Sequence, residues 1–359
     1  MKKKESYSLP LMHDSQIPLA FPVNKNTANV NGVILAGDIG ATKTNLSLFE
    51  FHKGLLTLIR EKSYHTKDYN AFTEMVCSFH RDKLPVINGI CLGVAGPVIK
   101  GKVKGTNFPW EIDSEEISRE LQVNSVTLIN DMEANAYGLA ALRKTDFEIL
   151  KEGSNIPGNA VIISPGTGLG EAGLYWDGAH YHPYATEGGH CDFSPRSVLD
   201  WEVWQYLHQK FGHVSWERII SGPGIYGIYQ FLRGFRGIPE PKWLQDKMQQ
   251  GDAAAVITTV AHEKRDPICI ETLDLFVRYL AIEAAQFALK TKATGGVYIG
   301  GGIVPKILRM INREVFSENF VDAGRMNPLL HQMPVQVVLN DKTPLLGAAY
   351  YGATHLEYD

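Results

Sequence analysis

The chain is expected to be an α/β protein. Short apolar runs with strand character, such as VILAGDI (33–39) and GICLGVAG, alternate along it with helical stretches such as VLDWEVWQYLHQKF and TLDLFVRYLAIEAAQFALKT, and glycine-rich turns repeatedly close the strands. Its 359 residues exceed what one core usually serves, so two domains with a cleft between them are expected.

In order, VILAGDI and NLSLFEF read as a hairpin turned by Gly40, with LLTLIREKSY as a third strand. NAFTEMVCSFHRDK is helical and GICLGVAG is a buried strand. SEEISRELQ is a helix for which Ser114 is the candidate cap. SVTLIND is a strand that ends on polar residues and leads into the helix MEANAYGLAALR. AVIISPGTGLGEAGLYWDG then repeats the plan of strand, glycine turn and returning strand. Beyond it come helices over VLDWEVWQYLHQKF and GIYGIYQFLRG, a Pro-broken loop RGIPEPKW and a long helix over TLDLFVRYLAIEAAQFALKT. GGVYIGGGIVP is a strand entering a glycine loop, KILRMINREVF a helix, and PVQVVLNDKTPLLGAAYYGATHL a strand, a polar turn and a closing helix.

Several function classes are excluded by composition. Thirty-five Lys and Arg stand against 39 Asp and Glu, a net charge of −4, so no basic field exists to hold a nucleic acid. Cys77, Cys91, Cys191 and Cys269 lie far apart without a CxxC spacing, which argues against zinc or a disulfide framework and fits a reducing cytoplasm. The basic start MKKKESYSLPLMHDSQIPLAFPV has no long apolar run, so a secretory reading is not expected. No segment reaches the roughly twenty apolar residues of a membrane span. Residues 1–30, broken by Pro10, Pro18 and Pro22, read as a flexible or surface-draped extension.

Phosphate chemistry is suggested at two turns. Gly37, Asp38, Gly40 and Thr42 stand at a strand-to-turn junction where small residues leave N–H groups free for phosphate oxygens; GDIG alone fits an ordinary hairpin equally well. Asp38 would repel a bare phosphate, so its presence makes sense with Mg²⁺ or its water shell between them. Gly166, Thr167, Gly168 and Gly170 form a second such loop, and because EAGLYWDG alternates like a strand rather than opening a helix, a dinucleotide-binding site is rejected. Gly300, Gly301 and Gly302 permit close approach of a flat ligand such as adenine, or simply make a tight turn.

Acid–base and hydroxyl-reading groups follow. Asn130 and Asp131 end a buried strand, where polar groups commonly face a crevice, and Asp131 is a candidate general base for an attacking hydroxyl; the rival reading is a helix cap. Glu187 and His190, around Gly188 and Gly189, form a plausible hexose clamp, against a metal site or a structural histidine.

Taken in order, GDIGATKTN, LGVAGPV, TNFPW, LINDMEANAYGL, SPGTGLGEAGL, TEGGHCDFSP, SWERIISGPGIYGIY, GGVYIGGGIVPK and NDKTPLLGAAYYG resemble the bacterial glucokinase family of the hexokinase/actin-like ATPase superfamily over about residues 33–355. The resemblance implies a two-lobed actin-like ATPase (ribonuclease H-like) fold with a mixed sheet flanked by helices in each lobe. The lobes would be a small one over residues 31–131, completed by a C-terminal helix over 344–359, and a large one over 132–343.

The same resemblance implies ATP-dependent phosphorylation of D-glucose at the 6-hydroxyl, with Asp131 as base and with Asn130, Glu187, His190, Glu217 and, less directly, Asn107 holding the sugar. It also implies ATP and Mg²⁺ as cofactors and a cytoplasmic homodimer. Ala41 and Lys43 depart from the family's usual GDIGGTNxR toward a related repressor/kinase group, and an Ala still presents its N–H to phosphate where φ is negative. That group's zinc-binding cysteine cluster is missing, which places the chain with the zinc-free glucokinases. The alternatives are a kinase for another hexose or an amino sugar, and a non-catalytic sugar sensor on the same fold.

Overall fold

The first structural unit grows from the hairpin around Gly40. In this computed structural model, which describes residues 6–8, 17–21, 31–52, 55–79, 85–104, 110–154 and 156–356, β1 (Ser6–Ser8) pairs antiparallel with the third strand of the hairpin region. β2 (Asn31–Ile39), β3 (Lys43–His52) and β4 (Leu55–His65) form an antiparallel meander. α1 (Phe72–Phe79) follows, then β5 (Gly89–Val94), every residue of which is buried, as expected of a parallel strand covered on both faces. β6 (Lys102–Lys104) and β7 (Glu111–Asp113) make a separate two-stranded ribbon. α2 (Ser114–Leu121) is capped by Asp113, whose carboxylate accepts from the N–H groups of Glu115 and Glu116; Ser114, the expected cap, is instead the first helical residue. β8 (Ser125–Asn130) runs parallel to β5 and delivers the chain into α3 (Asp131–Gly138). The six-stranded sheet is ordered β1-β4-β3-β2-β5-β8.

The second unit begins with β9 (Phe147–Lys151), which the sequence reading did not identify, and β10 (Ala160–Pro165). β11 (Leu169–Trp176) and β12 (Tyr181–Thr186) continue its sheet, although residues 174–185 cluster with the first unit. α4 (Val198–Phe211) and α5 (Gly222–Arg236) lie where periodicity placed them. The stretch RGIPEPKW is only partly a loop, because α6 (Lys242–Gln250) starts within it behind Pro241, and α7 (Ala253–His262) follows on the Asp252 cap. α8 (Pro267–Thr291) is the long buried helix, and β13 (Gly296–Ile299) pairs parallel with β10. The expected single helix over KILRMINREVF is broken: α9 (Val304–Ile307) passes into a 3-10 turn, and Asn312 caps α10 (Arg313–Val321) by accepting from Glu314 and Val315 N–H. α11 (Asn327–Gln332) and β14 (Val335–Val338) complete a mixed sheet ordered β12-β11-β10-β13-β14-β9. Trp216, Tyr229, Phe276, Tyr279, Phe316 and Phe320 fill its core.

α12 (Thr343–Thr354) returns to the first unit and packs on α3, β2 and β5. The contact is backbone to backbone. A Cβ on Gly347 would lie 1.7 Å from the Ala134 carbonyl oxygen, and one on Gly138 would lie 1.9 Å from that of Thr343. The first unit comprises residues 1–146, 174–185 and 340–359, and the second 147–173 and 186–339. The sequence places a boundary after Asp131; the packing of α3 on α12 carries the first unit on to Asp146.

Within the expected N-terminal extension, residues 17–21 are draped and pinned. Ile17, Leu19 and Phe21 are buried at period two, Ala20 N–H donates to Tyr181 O (2.8 Å), and Tyr181 N–H donates to Pro18 O (2.7 Å). Phe21 packs on the rings of Tyr137 and Tyr350. Alternating apolar residues that reach a partner strand bury like any edge strand, so the flexible reading does not hold for these residues. No helix among the described residues is long and apolar enough to cross a membrane.

The α3–α12 contact admits no side chain, so Gly347→Ala is expected to destabilise the protein by about 3 kcal/mol through overpacking. Gly234→Ala, in α5 with open space around it, is expected to stabilise by about 0.5–1 kcal/mol from helix propensity alone. Denaturant midpoints of the two variants measure both.

Candidate active site

In the first unit, the sheet register sets the site. Asp38 pairs with Gly93 and with Asn45, and Ile39 pairs with Val94, which pairs with Asn130. The Gly40 turn and Asp131 therefore stand at the same end of the parallel strands, two strands or roughly 10 Å apart. This carboxyl end of the strands is where α/β folds place ligands. Gly93 lets α3 pack directly on β5: a Cβ there would come within 2.8 Å of Ala134 Cβ.

Asp131 is the first residue of α3, and its cap is Asn130. Asn130 Oδ1 accepts from Met132 N–H (2.9 Å) and Glu133 N–H (3.3 Å), and Nδ2 donates to Gly96 O (3.1 Å), leaving one amide hydrogen for a ligand. The capping role considered for Asp131 is thus filled by its neighbour. Asp131 itself, half-buried, also accepts from Met132 N–H (2.9 Å).

The first turn is held from behind. Thr66 Oγ1 donates to Gly40 O (2.7 Å), Thr66 N–H donates to Thr42 O (3.1 Å), and Gly40 N–H closes the turn on Lys43 O (3.0 Å). Ala41 and Thr42 form its outer part, and Thr42 is exposed. Gly37 lies inside the sheet, where a Cβ would meet Leu92 Cδ2 at 2.6 Å, so its smallness serves packing. Burial raises the Asp38 carboxyl above the usual range, against the Asn45 amide, which donates to Oδ2 (3.2 Å), and the charge of Lys43. A partly buried carboxylate with so little compensation is suited to a cation.

In the second unit, the two remaining glycine loops meet. Gly166 N–H donates to Gly168 O (2.8 Å), and Gly222 N–H, at the start of α5, donates to Gly166 O (2.8 Å). Gly300 N–H donates to Ile163 O (2.8 Å), and Gly301 adopts φ +80 with its missing Cβ 2.3 Å from Pro165 O. The turn at Gly166–Gly168 and the turn at Gly300–Gly302 thus occupy one end of adjacent parallel strands. Thr167 is exposed beside them. The N-terminus of α5, capped by Ser221, was not singled out from sequence; its signal is the cap-and-proline pattern SGP.

Glu187, His190 and Glu217 are brought together by local bonds. His190 N–H donates to Glu187 O (3.0 Å), Trp216 N–H donates to Cys191 O (3.0 Å), and Asp192 bridges to Ser215. His190 Nε2 lies 3.8 Å from Glu187 Oε2, with both side chains more than half exposed. Glu217 is partly committed: Oε2 accepts from Leu169 N–H (2.9 Å) and closes on Gly168, where a Cβ would lie 2.4 Å from it. One carboxylate thereby connects the Gly166–Gly168 turn to the loop of Glu187 and His190. Asn107 lies outside the described residues. Among the described residues no group of three or more His, Cys, Asp or Glu is arranged to hold a metal ion.

Residues 35–355 match the family model described as Glucokinase. A glucokinase of Nostoc punctiforme is 40% identical over 338 residues, which cover 89% of this chain and 99% of that protein. Among solved structures, a glucokinase from an Antarctic psychrotroph superposes with a TM-score of 0.72 at 30% identity, covering 89% of this chain and 98% of its own. A ROK-family glucokinase from Streptomyces griseus, solved with glucose and AMPPNP, shares the fold with a TM-score of 0.61 at 18% identity, over 89% of this chain and 98% of that one.

The loop-to-loop contact is expected to be intolerant of a side chain. Gly301→Ala, forced to positive φ against Pro165 O, should cost about 1–3 kcal/mol, whereas Gly302→Ala, with open space around it, should stay within about 0.5 kcal/mol. Thermal unfolding of the two proteins distinguishes them.

Proposed function

The chain belongs to the glucokinase family and is a sugar kinase that phosphorylates glucose, and from that premise we propose that Asp131 is its general base and that ATP is its phosphoryl donor. The observation that carries the assignment of Asp131 is its position: it follows Asn130 at the carboxyl end of β8, the end of the parallel strands that also bears the Gly40 turn. The Asp131 carboxylate stands at the strand end level with the Gly40 turn and can take the proton of the 6-hydroxyl as that oxygen attacks the γ-phosphorus.

Glu187, His190 and Glu217 read the other sugar hydroxyls, with Asn130 contributing its remaining amide hydrogen and Asn107 a further contact. Glu217 accepts with the oxygen not used by Leu169, so its geometry is preset before sugar arrives. The backbone N–H groups of Ala41 and Thr42 in the first unit, and of Thr167 and Gly168 in the second, take phosphate oxygens, while Gly40 and Gly166 close their turns through their own N–H groups, with the positive end of α5 directly behind the second turn. Gly300, Gly301 and Gly302 take the adenine face. Asp38 would hold Mg²⁺ through water, and the ion when bound supplies neutralisation of phosphate charge. The raised Asp38 proton affinity supports this, since a cation is what its partly buried carboxylate lacks. We place the enzyme in the cytoplasm as a homodimer, on the family resemblance.

Asp131→Asn keeps the shape of the residue and removes the base. Its kcat with glucose and ATP is expected to fall about 10²- to 10⁴-fold, with a far smaller change in glucose KM, in a coupled ADP-release assay. Near-normal turnover would remove Asp131 from the mechanism. Formation of glucose 6-phosphate, and of no other isomer, checks the acceptor hydroxyl.

A further inference from the structure

Glu171, set against the loop that carries Glu187 and His190, and Glu283, within hydrogen-bonding reach of Glu171, are carboxyls to which the reaction assigns no role. Glu171 on β11 is 1% exposed and Glu283 on α8 is 0% exposed. Three of their four oxygens, Glu171 Oε1 and both of Glu283, have no hydrogen-bond partner among the described residues. The fourth, Glu171 Oε2, presses on the loop itself: a Cβ on Gly188 would lie 1.9 Å from it. The same strand grips the loop a second time, because Thr186 Oγ1 donates to Glu171 O (2.9 Å) and accepts from Gly188 N–H (3.2 Å).

Two adjacent carboxylates in a dry interior cannot both remain ionised without a large penalty. We propose that Glu171 and Glu283 are a proton-holding pair that positions the sugar loop, so that loss of their last shared proton weakens glucose binding and leaves phosphoryl transfer largely intact. The proposal rests on reading Glu187 and His190 as sugar contacts.

The electrostatics agree with the geometry. Burial is the main cause lifting both groups well above the usual carboxylate range, and the charge of Glu171 lifts Glu283 further. Lys290 opposes both shifts, with Nζ 4.0 Å from Glu283 Oε1. The other charged groups on the neighbouring elements are engaged elsewhere or stand in solvent. Arg278 pairs with Asp200, which also accepts from Tyr279. His182 on β12 pairs with Asp177, and Glu187 and His190 are exposed on the loop. Both carboxyls bind protons more tightly folded than unfolded, so the stability they contribute is greatest at acid pH and falls as pH rises through each folded value.

The test is glucose KM and kcat from about pH 6 to about pH 10 for the full-length wild type, Glu171→Gln and Glu283→Gln. Wild-type KM is expected to rise about tenfold across the alkaline half while kcat changes less than about threefold, and each variant should flatten the KM rise. A flat wild-type KM, or a rise that persists in both variants, overturns the proposal. Glu187→Gln at the acid end separates the premise. If its glucose KM equals the wild-type value, the sugar-loop reading fails; if its KM is raised while Glu171→Gln keeps the wild-type pH profile, only the proton pair fails. Should neither glutamine variant fold, the infrared band of a protonated carboxyl decides on the wild type: persistence at neutral pH is expected, and its absence overturns the pair.

Discussion

The first unit depends on the approach of α12 to α3, where carbonyl oxygens of one helix occupy the space a side chain would take on the other. Ala134 O faces Gly347, and Thr343 O faces Gly138. Helices this close cannot slide or rotate without collision, because packed interiors have little free volume. The helix that begins with Asp131 is therefore located from its far side. The same device recurs at Gly352, where a Cβ would lie 2.7 Å from Cys91 Cβ, and at Gly89, where one would lie 2.4 Å from Leu356 Cδ2. The buried strand β5 is thus fitted against α12 along its length, and the end of β8 inherits its position from β5 through the parallel register.

The second unit uses a similar economy at its loops. Pro165 O against Gly301, Leu169 O against Gly189 and Glu217 Oε2 against Gly168 are all approaches that only glycine permits. Turns that expose N–H groups are intrinsically soft, since glycine has the most backbone freedom to lose. Here each is braced by a neighbour from a different part of the chain, without bulky residues of its own. Pre-organised donors cost little reorganisation when charge arrives.

Much of this was legible in the sequence, and what escaped did so for physical reasons. The Gly40 and Gly166–Gly168 turns were readable because period-two strands flank glycines, and the long α8 because its apolar face recurs over many turns. Asp131 and Glu187 were readable as acids at the ends of strands, and they follow β8 and β12. Local competition hid the boundaries: Asp113 outranks Ser114 as a cap, and Asn312 starts a new helix inside a run whose periodicity alone continues. The helices α6 and α7 were missed because Pro239 and Pro241 suggest a loop, while Pro241 in fact stands just ahead of a first helical turn. Glu171 and Glu283 were hidden more deeply. A lone Glu in an alternating strand, or on a helix, ordinarily marks a solvent face, and only the packing of β11 against the loop and of α8 in the core reveals two buried acids.

α12 carries a consequence for the order of events during biosynthesis. A chain growing from its N-terminus presents β2 to β8 with the seat of α12 vacant, its glycines and apolar strand faces uncovered, until some two hundred further residues have been added. At typical translation speeds that interval is roughly ten seconds or more. The core built around α8 and β13 can assemble in the meantime, whereas the half holding Asp131 stays an incomplete template. Completion of the first unit is thereby tied to the arrival of α12.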